Sequence, residues 1–281
     1  MVYYIENERL KVGVSDLGAE IVSVIFCGKE RSWQNEDGSW AGHAPILFPV
    51  CGNSAVIVGG VDRKINFHGF ARKSVFTLEK KSEKSVTFSL KSDENTLKVY
   101  PYFFALYITY EVTGDTVKVV NTIENLGDTV MPFAIGRHDS YALDADVDEY
   151  KIVFPKAERF LSLKTVEDAR ITGEADDLGG GKELDLPKDY LSFGRTIILE
   201  NVSSDHLFLC RTNGEKKVRV DFNEVNNVLL WRPHGAKMVC IEPWSALPDR
   251  VDRRVEFTEN EKYYRIPAGG KKTIELSATY Y

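Results

Sequence analysis

Methionine is scarce in this chain, with three residues in 281, and proline and cysteine, at ten and four, are used sparingly. The cysteines (Cys27, Cys51, Cys210, Cys240) are scattered and form no C-x-x-C pair. That spacing excludes a zinc ribbon and a disulfide framework, and the thiols are expected to be buried and reduced. Long apolar runs are missing too. The richest stretch, Phe103 to Tyr110, falls far below the roughly 20 residues a bilayer requires, so no membrane segment is expected. The start, Met1 to Arg9, lacks the basic segment and apolar stretch of a secretory leader, and a cytosolic location is expected. There is no excess of positive charge: 36 Lys and Arg face 42 Asp and Glu, a net −6, which argues against a nucleic-acid partner. Glycine-rich phosphate loops, a nucleophile elbow, a His-x-x-x-His pair and a dinucleotide fingerprint are all lacking, so neither cofactor nor metal is expected.

What is present is aromatic and alternating. Fifteen Phe, thirteen Tyr and four Trp lean toward pleated sheet. Leu10/Val12/Val14, Val86/Phe88/Leu90, Val218/Val220/Phe222 and Ile274/Leu276/Ala278 each place apolar side chains on one face of an extended segment. Turn signals separate such runs, among them Ser92-Asp93-Glu94-Asn95, Thr113-Gly114-Asp115 and Asn213-Gly214. Leu97 to Val112 reads as one long strand bent at Pro101. Lys156 to Asp189, rich in charge and glycine, reads as a surface excursion within one domain. The expected architecture is all-β, a large antiparallel β-sandwich with little helix, formed by residues 1–281 as a single domain.

Chemistry concentrates at a few positions. His68 opens Phe67-His68-Gly69-Phe70-Ala71-Arg72, where a tight turn brings an imidazole and a guanidinium together; a solvated turn is the plainer alternative. His138 stands at the end of a strand-like run, between Arg137 and Asp139. Glu242 ends the apolar run Met238 to Ile241 and precedes Pro243-Trp244. Desolvation there would raise its pKa and make it a usable general base, while an ordinary solvated strand cap is equally consistent. Trp231, Trp244 and Phe70 could wall a sugar groove or pack in the core.

In order along the chain, Trp33-Gln34, Trp40, Ala44 to Asn53, His68 to Arg72, Gly136-Arg137-His138, Cys240-Ile241-Glu242-Pro243-Trp244 and Leu247-Pro248-Asp249 resemble the aldose 1-epimerase (galactose mutarotase-like) family, in its bacterial branch associated with sugar-utilisation operons. The resemblance spans essentially the whole chain. It implies a supersandwich with a sugar groove on one concave sheet, and a cofactor-free interconversion of α and β anomers. By position, Glu242 would be the general base and His138 the general acid, with His68, Arg72, Asn53, Trp231 and Trp244 binding the sugar. Proton removal from the anomeric hydroxyl and proton donation to the ring oxygen open the ring, so an acid and a base are expected to flank it. Ordinary pKa values near 4.3 for Glu and 6.5 for His allow ionised Glu and protonated His to coexist.

Two departures stand out. Asn53 occupies a position that usually carries a sugar-binding Arg, and His138 has charged neighbours, Arg137 disfavouring its protonation and Asp139 favouring it. Three alternatives follow: a carbohydrate-binding or sensing protein without turnover, a hexose-6-phosphate mutarotase using Arg72 and Arg137, and a glycoside-processing enzyme pairing Asp139 with Glu242. The expected partner is a monosaccharide; a homodimer is compatible with the reading.

Overall fold

The alternating runs become strands with the expected inward faces. In the computed structural model, which describes residues 1–186, 190–191, 195–253 and 255–281, Leu10, Val12 and Val14 are buried along Leu10–Ser15, and Ile274, Leu276 and Ala278 along Lys271–Tyr280. Short turns at Gly114 and Gly214 join Phe104–Thr113 to Thr116–Asn125 and His206–Arg211 to Lys216–Asp221 as antiparallel neighbours.

These strands assemble into two principal antiparallel sheets of a β-sandwich. Val2–Glu6, Leu10–Ser15, Ile21–Phe26 and Lys29–Glu30 form a four-stranded sheet, and the Tyr3 ring packs edge-on against Phe88 of the larger, fifteen-stranded one. The part that builds the site is one succession of neighbours: Ile46–Leu47, Gly136–Arg137, Met238–Trp244, Asn227–Trp231, Ile197–Leu199 and Tyr150–Thr165. Every residue of Met238–Trp244 is buried, as expected of a central strand covered on both faces. Aromatic rings fill the interior, Phe48 meeting Phe70, Phe104 and Phe133 at 5.2–6.2 Å.

Three expectations are corrected. Leu97 to Val112 is a short helix, Glu94–Val99, followed by the strand Phe104–Thr113. Asp93 accepts from the amides of Asn95 and Thr96 while Thr96 Oγ1 accepts from the Asp93 amide, a capping box that turns the expected loop into a helix start. Lys156 to Asp189 is mostly sheet, a long hairpin of Tyr150–Thr165 and Ile171–Asp185; 187–189 lie outside the described residues. Its register shifts let glycines and charged residues sit in an exposed ribbon without the strict alternation that sequence patterns detect. Cys27, expected to be buried, is exposed at a turn with φ of 48°, whereas Cys51, Cys210 and Cys240 are buried.

Candidate functional site

Sheet register brings His138 and Glu242 together across 104 positions of sequence. Gly136 pairs with Trp244 and Asp139 with Ile241, which puts His138 directly across from Glu242 on adjacent strands. His138 Nε2 lies 3.4 Å from Glu242 Oε1, with the two side chains 13% and 2% exposed. Leu229 is the next residue across from Glu242, and Ile198 the next across from Leu229, so one face of three strands carries a lateral row. The same face carries Trp231 and Trp244.

Above that row lies a cavity of about 350 Å³ lined by Trp40, Phe67, His68, Arg72, His138, Trp231, Glu242 and Trp244, with Pro45, Thr165, Ala169, Thr196, Ile198, Leu229 and Pro248 completing its walls. Its volume lies within the range usual for small-molecule sites. Trp40 stacks on the His138 ring at 5.1 Å and Trp231 meets it edge-on at 5.6 Å. Trp244 is anchored by its indole N–H, which donates to the Arg137 carbonyl at 3.2 Å. Gly136 is required beneath it, since a Cβ there would stand 2.8 Å from Trp244 Cδ1.

The His68 turn is held by backbone geometry. The Phe70 N–H donates to the Phe48 carbonyl at 3.0 Å, and a Cβ on Gly69 would reach 2.0 Å from that same oxygen. His68 itself adopts φ of 64°, uncommon for a side-chain-bearing residue. Its Nδ1 accepts from the Gly52 N–H at 3.0 Å, which places the ring proton on Nε2 and makes that atom a donor. Arg72 donates from Nη2 to the Phe67 carbonyl at 3.2 Å, while its buried Nε has no hydrogen-bond partner.

Burial governs the charges. It pushes the His138 imidazole down to about 3, with Arg72 adding to the shift, and holds the Glu242 carboxyl well above the usual range, with Asp139 contributing. His68 is held well below the ordinary histidine value by burial, then by His138 and Arg72. This corrects the expectation from unperturbed values. Burial thus disfavours the charged form of each partner, because each would lose its hydration.

Of the residues singled out from sequence, His138, Glu242, His68, Arg72, Trp231 and Trp244 line this one cavity. Asn53 does not; its Nδ2 donates to the Asp168 carbonyl at 2.8 Å, at the tip of the long hairpin. Phe70 packs into the core against Phe48 and Phe104 and is no cavity wall; Phe67 takes that place. Arg137 and Asp139 face the other side of the sheet. Arg137 is 1% exposed, donating from Nε to Asp139 Oδ1 at 2.9 Å and from Nη1 to Tyr110 Oη at 2.8 Å. Burial alone would lower its pKa, but Asp139 and Tyr110 more than offset this and hold it raised. Arg137 therefore cannot reach an anionic sugar, and Asp139 cannot pair with Glu242 across a glycosidic bond. The opposed pulls of these neighbours on His138 are resolved: the two charges face away from it and satisfy each other.

Trp40, Phe67 and the hairpin residues Thr165 and Ala169 were not singled out as site residues. Trp40 stood in a recognisable motif, but only the folded loop shows that it covers His138.

The sequence profile of the family described as aldose 1-epimerase matches residues 1–253. The chain is 33% identical over 271 residues to the chromosomal LacX protein of Lactococcus lactis, covering 90% of each. Among solved structures, a galactose mutarotase-like protein from Lactobacillus casei superposes with a TM-score of 0.93 at 26% identity, covering all of both chains. A galactose 1-epimerase from Lactobacillus acidophilus shares the fold, with a TM-score of 0.72 at 12% identity over 99% of this chain and 93% of that one. The chain belongs to the aldose 1-epimerase family.

Proposed function

We propose that this protein is a mutarotase that interconverts the α and β anomers of an aldose through Glu242 and His138. The observation that carries the reading is the 3.4 Å approach of His138 Nε2 to Glu242 Oε1 in an aromatic cavity. An acid and a base on opposite sides of a ring were expected; side by side suits the chemistry better. The anomeric hydroxyl oxygen and the ring oxygen are bonded to the same carbon, so the groups that exchange protons with them must themselves be neighbours.

The pair carries one proton in either of two arrangements. With carboxylate and imidazolium, Glu242 takes the anomeric hydroxyl proton as His138 gives one to the ring oxygen. The C1–O5 bond breaks and the open aldehyde faces a neutral carboxyl and a neutral imidazole. Rotation about C1–C2 and the reverse transfers close the other anomer. Burial favours the neutral pair, which accompanies the open chain, and so stabilises the intermediate's side of ring opening. Each positioned proton transfer is worth about 10²- to 10⁴-fold. His68 supplies a fixed donor, and Trp40, Trp231 and Trp244 supply apolar faces for the sugar ring. Such a protein works in the cytosol as one unit on a neutral monosaccharide.

Polarimetry on freshly dissolved galactose and glucose tests this: the expected result is anomeric exchange well above the buffer rate, and folded protein that accelerates no aldose would refute it. Arg72 supports a second reading, a phosphorylated sugar as substrate. It is a cation on the cavity wall with a free, buried Nε, and a guanidinium binds oxyanions through two parallel hydrogen bonds. A tighter KM for hexose 6-phosphate than for the free hexose, lost in Arg72→Ala, would favour it.

A further inference from the structure

Cys240 is a buried nucleophile that the proposed reaction does not use. It sits two residues before Glu242 on the same face of Met238–Trp244, directly across from Trp231, beneath the aromatic rim of the cavity. One ligand atom from each of His138, Cys240 and Glu242 lies within 4.8 Å of the other two. Glu242 is 1% exposed and its Oε1 has no hydrogen-bond partner. Buried acceptors without donors are uncommon and call for an explanation.

We infer that His138, Cys240 and Glu242 form a binding site for a thiophilic divalent cation of the zinc type, which occupies the floor of the cavity and blocks sugar turnover. The donor set decides the metal. Thiolate with imidazole and one carboxylate suits Zn²⁺ or Co²⁺ and disfavours Mg²⁺ and Ca²⁺, which take oxygen ligands. Distances agree: tetrahedral zinc at its usual bond lengths separates N, O and S ligands by roughly 3.4–3.6 Å. The His138–Glu242 spacing of 3.4 Å already meets that, and the widest spacing in the triad, at most 4.8 Å, has to shorten by about 1.2 Å on binding. On binding, the Cys240 thiol and the Glu242 carboxyl release their protons to solvent and His138 coordinates as the neutral ring. Three protein ligands leave a fourth position facing the cavity, as in open zinc sites. The cation holds the lone pairs that would otherwise exchange protons with sugar, so metal and turnover exclude each other.

The test uses the full chain, stripped of metal, in a Cys27→Ser background so that the exposed thiol contributes nothing. Titration with Co²⁺ is expected to saturate at one equivalent with a thiolate-to-cobalt charge-transfer band in the near ultraviolet. Cys240→Ser is expected to abolish the band and weaken Co²⁺ and Zn²⁺ at least tenfold; Glu242→Gln, which keeps the thiol, is expected to retain a band at weaker affinity. Absence of saturable cobalt binding, or binding that Cys240→Ser leaves unchanged, would overturn the inference. Anomeric exchange of the metal-free protein separates this from the proposed function. A cobalt band without exchange sinks the mutarotase reading alone, and exchange indifferent to zinc sinks the metal site alone.

Discussion

Asn53 Nδ2 donates to the Asp168 carbonyl at 2.8 Å and so ties the segment after the Phe48-Pro49 turn to the tip of the Tyr150–Thr165/Ile171–Asp185 hairpin. The tip also docks through its backbone: the Ile171 N–H donates to the Asp249 carbonyl, and the Val251 N–H to the Ile171 carbonyl, both at 2.9 Å. Thr165 and Ala169, on either side of the turn, reach the cavity wall. The residue standing where a sugar-binding Arg was expected thus positions a wall of the cavity instead.

Asn53→Ala should therefore loosen the hairpin tip. One lost hydrogen bond is worth about 1 kcal/mol. The expected result is a KM for the sugar raised by about fivefold with kcat little changed, and faster amide hydrogen exchange at Ala169. Unchanged exchange at the tip would show that the backbone contacts alone hold it.

Asp139→Asn should be costly although Asp139 touches no substrate. It is the only acidic partner within ion-pair distance of Arg137 among the described residues, at 2.7 Å, and Arg137 is fully buried. Leaving a buried guanidinium without its carboxylate is expected to cost about 3 kcal/mol, read as a lowered denaturant midpoint. Loss of less than 1 kcal/mol would mean that Tyr110 suffices.

The rate should not titrate where an ordinary histidine does. The working pair holds one proton from above the His138 value, about 3, up to the raised Glu242 value. Exchange rate per enzyme should not fall as pH drops through 6.5, and should fall only further into acid, as His138 gains a second proton for the pair. A sigmoidal loss centred near 6.5 in a kcat profile would contradict the burial argument.

Glu242→Gln should stabilise the fold near pH 7. A carboxyl whose pKa is higher folded than unfolded binds more protons when folded, so its effect on stability turns unfavourable as pH rises above about 4.3, the unfolded value. Gln removes that penalty at pH 7 and not at pH 4. Each kcal/mol gained raises Tm by about 2–4 °C at this size, and calorimetry at the two pH values reads the difference. Equal Tm changes at both would exclude protonation as the cause.

Much of this was legible in the chain, for reasons that differ by residue. Alternation revealed the strands because one side of each meets the core, and Glu242 drew notice because a carboxylate after four apolar residues is unusual in a strand. The helix at Glu94–Val99 was hidden by its brevity; its signal was the cap at Asp93. Alternation also held an unused clue: side chains at 137 and 139 must face away from that at 138, which settles the roles of Arg137 and Asp139 without coordinates. What sequence could not give was which strands lie side by side. His138 meets Glu242, and Thr165 meets the same cavity, only through long-range register.

The central claim is that Glu242 and His138 act as one proton-exchanging unit. The most direct measurement is a double-mutant cycle on the anomeric exchange rate, followed by NMR saturation transfer, with wild type, Glu242→Gln, His138→Asn and the double variant. Each single variant is expected to lose at least about 10²-fold in exchange rate, and the double variant to be no slower than the slower single. Independent losses that multiply in the double variant, or a single variant with wild-type exchange, would contradict it.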